Sequence, residues 1–207
     1  MNDPTIFIFQ LITLIASVII HEVSHGFVAY RLGDSTAKDM GRLTLNPFKH
    51  LDFFGSFLFP LVLFLFGSPI LFGWAKPVPY NPYNLKNPQR GGGLIAAAGP
   101  LSNLSVAVIF GFILKIFSMS GIVDSPLFLF LQIIILINIS LAIFNLVPIP
   151  PLDGSKILFA FLPPRFLKAQ IFLEQYGFMF LLLFIFFGIR LIQPIISKIF
   201  MFLGGGL

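Results

Sequence analysis

Residues 5–30 read TIFIFQLITLIASVIIHEVSHGFVAY. From Pro4 to Ile20 there is no charged side chain, and then His21, Glu22 and His25 arrive within five residues. The run exceeds the roughly 20 residues that a helix needs to span a bilayer. In a helix, positions i and i+4 lie on one face, so His21 and His25 point at one place. Two imidazoles at that spacing suit one zinc ion, and Glu22 beside the first is placed to handle the proton of an activated water. Ionisable groups at membrane depth are costly and mark function. The run therefore reads as a membrane helix carrying a metal-dependent hydrolytic centre.

Composition agrees. Of 207 residues, 57% are hydrophobic and 10% charged, and the mean hydropathy is +0.97. A soluble domain carries about 25% charged residues, so the chain reads as an all-α polytopic protein whose partner is the lipid bilayer. Cysteine is absent, which excludes disulfides, thiolate zinc sites and a cysteine nucleophile. Any metal takes nitrogen and oxygen ligands. The formal charge of +5 is explained by basic residues flanking membrane spans, and no nucleic-acid partner is expected. The first apolar run has no basic leader and holds the metal motif, so it is expected to be retained.

Five apolar stretches stand out: Thr5–Tyr30, Phe53–Phe72, Leu94–Phe117, Leu127–Val147 and Tyr176–Ile192. They predict four to five transmembrane helices. The whole chain, 1–207, reads as one membrane domain with a core over 5–154 and an accessory C-terminal helix over 174–203. In the first polar loop, Gly41-Arg42-Leu43-Thr44-Leu45 alternates polar and apolar and predicts a short β-strand or hairpin. Asn46-Pro47 ends it as a turn. Trp74 to Arg90, rich in proline and asparagine, predicts an ordered loop. The second apolar stretch is interrupted by Gly55, Pro60, Gly67, Ser68 and Pro69, and charge decides its path. If it enters the membrane and returns, one side collects Arg31, Lys38, Arg42, Lys49, Lys76, Lys86, Arg90, Lys156, Arg165 and Lys168. The other side keeps only Lys115, Arg190 and Lys198. That asymmetry has the sense of the positive-inside rule, whereas a crossing segment would divide the charges almost evenly. A re-entrant segment also brings His21 and Asp153 to the same side.

Catalytic zinc takes three protein ligands and an open position. Asp34, Asp39 and Asp52 lie in the polar loop, Asp124 falls on the far side, Asp3 is terminal, and Glu174 suits a helix start. Asp153 and His50 remain as third-ligand candidates. Asp153 has the more telling context. The run Ile143-Phe144-Asn145-Leu146-Val147-Pro148-Ile149-Pro150-Pro151-Leu152-Asp153-Gly154 is apolar except for Asn145 and Asp153. Its prolines open the helix, and a lone carboxylate there needs a cationic partner. His50, beside Lys49 and Asp52, reads as a structural loop residue, with metal contact as its alternative.

Taken together, these elements resemble the site-2 protease family of intramembrane zinc metalloproteases. The resemblance rests on His-Glu-Val-Ser-His at 21–25, Ala-Gly-Pro-Leu-Ser-Asn at 98–103, Asn-Leu-Val-Pro-Ile-Pro-Pro-Leu-Asp-Gly at 145–154, and the loop from Gly41 through His50 and Asp52. It implies one zinc held by His21, His25 and Asp153, with Glu22 as general base. It implies transmembrane protein substrates and a site nearer the cytoplasmic side of a bacterial or archaeal cell membrane. It also suggests that Asn103 and Asn145 contact the scissile peptide or donate to its oxyanion, the alternative for both being helix–helix hydrogen bonds. With no stretch long enough for a PDZ-like domain, the chain is similar to the compact prokaryotic type. The competing reading is a zinc-dependent membrane transporter or sensor, which has no use for Glu22. A catalytically dead scaffold would be expected to have lost one of the four residues.

Overall fold

A computed structural model describes residues 3–67 and 73–205, and the described residues are helices and loops. Helix α1 spans Pro4–Arg31. After a single helical turn at Thr36–Asp39, a π-helical turn at Phe53–Leu58 runs into α2, Phe59–Leu65. Helices α3, Pro88–Met119, and α4, Pro126–Asn145, follow. The short α5, Asp153–Phe161, precedes α6, Leu167–Leu183, and α7, Ile189–Phe200. Among the described residues, four helical stretches are long and apolar enough to cross a membrane: α1, α3, α4 and the run Pro164–Gly204. Together with the family assigned below, they make this a multi-pass integral membrane protein.

Three of these four stretches, α1, α3 and α4, start by one device. Asp3, Asn87 and Ser125 each precede a proline, and each side chain accepts a backbone N–H of the first turn, from Thr5, Arg90 and Phe128. The cap satisfies a donor that has no helical partner, and proline at the first position needs none. This device starts α3 at Pro88, earlier than the apolar run at Leu94 predicts. Between α3 and α4, Ala107, Leu114, Phe128, Leu131, Ile135 and Ile139 form a closed core, which Ile196, Ile199 and Leu203 cover from the C-terminal run. Phe112, Phe186 and Phe202 point outward and are exposed, a surface suited to lipid.

Hydrogen bonds gather three loops at one end of the bundle. Asp34, at the end of α1, is fully buried. It accepts from the Asn81 backbone and the Asn84 side chain, which lead into α3. Burial pushes the Asp34 carboxyl up, but hydrogen bonds from Thr36, Asn84 and Asn81 outweigh it and hold it below the usual carboxylate range. Gln89, in the first turn of α3, donates to the Phe159 and Leu162 carbonyls at the end of α5. The segment holding α2 also returns to its origin. The Trp74 N–H donates to the Gly55 carbonyl at 3.1 Å, and the Ser56 hydroxyl donates to the Trp74 carbonyl at 2.9 Å. The apolar helix between these contacts, Phe53–Leu65, has 13 residues. That is about 20 Å, short of the roughly 30 Å hydrocarbon core. The 68–72 part of the predicted apolar stretch lies outside the described residues.

The strand predicted at Gly41–Leu45 does not form; among the described residues there is no strand. A strand needs a paired neighbour, and this segment is held instead by single contacts. Arg42 Nη2 donates to the Lys76 and Pro77 carbonyls, and the Thr44 carbonyl accepts from His50 Nε2 at 2.7 Å.

Candidate active site

His21 lies ten residues before the Arg31 end of α1, and Gly99 eleven residues after the Pro88 start of α3. At 1.5 Å per residue these are depths of about 15 and 16 Å from the same end of the bundle. The two helices are antiparallel there, and the centre forms where they meet.

The donors converge. His21 Nε2 lies 3.0 Å from Asp153 Oδ2, and His25 Nε2 lies 3.2 Å from the same oxygen. Donors about 2.0–2.1 Å from a tetrahedral zinc stand about 3.3 Å apart. The opposite ring nitrogens explain why a cation belongs between them. His25 Nδ1 is 2.6 Å from the Ile95 carbonyl, which only accepts, so Nδ1 carries the proton. His21 Nδ1 is 2.7 Å from Asn103 Oδ1. Asn103 Nδ2 donates to the Ser17 carbonyl and to Asn138 Oδ1, so the atom facing His21 is an oxygen, and His21 Nδ1 carries the proton as well. With the far nitrogens so engaged, each imidazole turns Nε2, the nitrogen that would hold a metal, toward the Asp153 carboxylate. Three electron-pair donors facing one another need positive charge between them, and fixing each imidazole through its far nitrogen is what metal-binding histidines require. The residues present fit zinc.

Glycine makes the space. A Cβ on Gly99 would stand 2.5 Å from His21 Cε1, His21 Nε2 and His25 Nε2. Asp153 is brought up by a turn after α4 that begins α5, and a Cβ on Gly154 would stand 2.2 Å from the Leu146 carbonyl oxygen. Only glycine lets the chain pass that close beside the carboxylate.

A cavity of about 190 Å³ opens onto the donors, lined by His21, Glu22, His25, Asp153, Asn145, Lys156 and the segment holding Pro77, Val78 and Tyr80. Glu22 has a ligand atom within 4.8 Å of those of His21 and His25. Its Oε2 accepts the Val78 N–H at 2.8 Å, and no bond engages its other oxygen among the described residues. The 76–78 strap is itself fixed by Arg42 and by the Lys76 N–H, which donates to the His50 carbonyl. The general-base candidate is thus held on one side and open on the other.

The sequence-predicted residues divide. His21, Glu22, His25 and Asp153 come together, and Asn145 lines the same cavity, with Nδ2 bonded to the Leu141 carbonyl. Asn103 does not reach the cavity. It is 0% exposed, and its carbonyl and both amide hydrogens are used behind His21, the helix–helix hydrogen bonding that was its alternative reading. Leaving one such buried donor unpaired costs about 1–3 kcal/mol. His50 is also fully buried, bonded to the Thr44 carbonyl, and is absent from the cavity wall. Ser17, Asn138 and Val78 were not predicted from sequence, and Gly99 entered only as part of the motif at 98–103. The one signal for the first three was Asn138 itself, an amide midway along an otherwise apolar span.

An all-helical membrane protein with two imidazoles, a carboxylate and a glutamate that keeps one oxygen open around one cavity belongs to the class of membrane metallohydrolases. The model of peptidase family M50 matches residues 114–184, a stretch that holds Asp153 but not the histidines. Relatives cover the rest. YwhC of Bacillus subtilis, a zinc metalloprotease by its name, is 43% identical over 183 residues, covering 86% of this chain and 80% of its own. Rip2 of Mycolicibacterium smegmatis, likewise named a zinc metalloprotease, is 30% identical over 202 residues, covering 94% of this chain and 71% of its own. MJ0611 of Methanocaldococcus jannaschii, similarly named, is 31% identical over 157 residues, covering 74% and 70%. The match at 94% of the chain has to include His21–His25. No solved structure matches the chain. The chain belongs to peptidase family M50, the site-2 protease family of zinc metalloproteases.

Proposed function

We propose that this protein hydrolyses peptide bonds within transmembrane segments of other membrane proteins. The observation that carries the reading is the convergence of His21 Nε2, His25 Nε2 and Asp153 Oδ2 below the end of the bundle, with Glu22 open to the same cavity. When bound, zinc supplies Lewis acidity, which makes water acidic near neutral pH and polarises the scissile carbonyl. The chain's own residues do the rest. His21, His25 and Asp153 hold the ion. Glu22 takes a proton from the attacking water and returns it to the leaving amine. Asn145, on the cavity wall, is placed to hydrogen-bond the scissile peptide through the part of its amide that the Leu141 carbonyl does not use. A helical substrate hides its carbonyls in i to i−4 bonds and must unwind before it can enter.

The transporter or sensor reading needs no carboxylate beside the ligands, and the relatives' names point to proteolysis. The test is cleavage by the purified chain in liposomes containing a single-span substrate. Fragment masses should place the cut within the apolar segment. Cuts confined to the substrate's water-soluble parts would overturn the intramembrane reading.

The site opens toward the cytoplasm on this reading, because the ten basic residues named above flank the end of the bundle that the three loops share. The Gly55–Trp74 contact supports a non-crossing path for the second apolar stretch, and the single domain proposed for 1–207 includes the C-terminal run, since Leu203 packs on the α3–α4 core. The absence of native cysteine makes labelling clean. Met40→Cys and Tyr83→Cys, both exposed, should react with an impermeant maleimide only when the cytoplasmic face is open. Met119→Cys should react from outside. Opposite labelling of Met40→Cys and Tyr83→Cys would show that the segment crosses.

A further inference from the structure

We propose that Ser17 and Asn138 are positioning residues for the metal site, acting through Asn103 to keep the His21 proton on Nδ1 and its Nε2 lone pair aimed at the ion. The proposal rests on His21 being a ligand.

The wiring is forced by groups that only accept. Asn138 Nδ2 is 2.9 Å from the Ile134 carbonyl, so the atom there is the amide nitrogen. The same nitrogen donates to the Ser17 hydroxyl at 2.9 Å. The Asn138 oxygen must then face Asn103, where it accepts from Nδ2 at 2.9 Å. Asn103 Nδ2 also donates to the Ser17 carbonyl at 3.2 Å. With both hydrogens spent, Asn103 presents its oxygen to His21 Nδ1 at 2.7 Å. Every side chain in this relay is buried: Ser17 is 4% exposed, Asn103 and Asn138 0%, and His21 6%. It links α1, α3 and α4 at the depth of the site.

Polar side chains between membrane helices commonly serve as general adhesive. This relay differs in ending on the far nitrogen of an imidazole whose near nitrogen faces the other donors. If Asn103 turned over, His21 would meet an N–H at Nδ1, its own proton would move to Nε2, and the metal-facing lone pair would be lost. Asn138 and Ser17 hold the amide against that rotation. Outer partners of this kind are worth about 10–100-fold in metal affinity.

The experiment uses the full chain in detergent micelles. Zinc affinity is measured by competition with a chelator, the d–d absorption of the cobalt-loaded protein is recorded, and the histidine tautomers of the metal-free protein are read by ¹⁵N NMR. Asn138→Leu should bind zinc about tenfold or more weakly, shift the cobalt bands and give His21 a mixed tautomer signal. Asn138→Asp, in its protonated form, still offers an acceptor to Asn103 and a hydroxyl to the Ile134 carbonyl, so it should restore affinity, spectrum and the Nδ1–H tautomer. A purely structural role would lower thermal stability but leave the folded protein's cobalt spectrum and His21 tautomer as in the wild type, and that result would overturn the proposal. If Asn138→Leu does not fold, Ser17→Ala, which deletes a single hydroxyl, carries the same readouts with a smaller shift. His21→Ala separates the two levels. If it binds zinc normally, the ligand assignment and the relay both fall. If it loses zinc while Asn138→Leu and Ser17→Ala keep every wild-type readout, only the relay falls.

Discussion

Glu22→Gln should keep its zinc and lose at least about 100-fold in cleavage rate, the low end for removing a general base. The geometry makes the substitution selective. Glu22 accepts the Val78 N–H through one oxygen, and a glutamine carbonyl accepts the same bond, so the strap over the cavity stays in place. What disappears is the second carboxylate oxygen, the atom open to the cavity and able to take a proton. Glu22 is not among the three proposed ligands, so zinc per chain should match the wild type. Substrate should accumulate on the variant, because entry and unwinding precede the step that fails. The measurement is cleavage of a single-span substrate in liposomes, with zinc determined on the same sample. Normal turnover by a zinc-loaded Glu22→Gln protein would sink the mechanism and return the transporter reading to contention.

The parts of this site legible in the sequence are those whose signal is local. His21 and His25 declare themselves by helical spacing inside an apolar run, and Asp153 by being a carboxylate where none is affordable without a cation. The charges suggested a re-entrant path for the second apolar stretch, and the contact from Trp74 to Gly55 is consistent with that proposal. What escaped depends on distant partners. Alternation at Gly41–Leu45 suggested a strand, but pairing is not a local property, and Arg42 was taken by carbonyls 34 and 35 residues away. For Asn103 the family resemblance suggested a substrate or oxyanion contact, with helix–helix hydrogen bonds as the alternative. Its role appears only once Ser17, 86 residues back, and Asn138, 35 residues on, are seen to use its amide hydrogens. Val78 contributes a backbone N–H, which no side-chain motif can report. Gly99 was read as part of a motif, and its physical reason, two imidazole edges at 2.5 Å from a missing Cβ, exists only in three dimensions.

That missing Cβ gives the second large effect. Asp153→Ala, His21→Ala and His25→Ala should each reduce bound zinc from near one per chain to near none, a larger loss than the roughly 10–100-fold expected for an outer partner. Removing Asp153 leaves two imidazole lone pairs facing each other without the carboxylate charge that makes a dication welcome. Gly99→Ala should do the same with every ligand present. Its methyl would fall 2.5 Å from both Nε2 atoms, in the space where they converge. The backbone cannot retreat easily, because Asn103 one turn on is tied to Ser17 and Asn138. The imidazoles are tied at their far nitrogens to Asn103 and to the Ile95 carbonyl. His50→Ala should keep its zinc, since His50 bonds Thr44 and lies off the cavity wall. Zinc by atomic absorption, alongside helicity and size in detergent, distinguishes lost binding from lost folding. Full zinc in Asp153→Ala together with its loss in His50→Ala would reverse the ligand assignment. Full zinc in Gly99→Ala would mean that the ion does not sit between the two Nε2 atoms and Asp153.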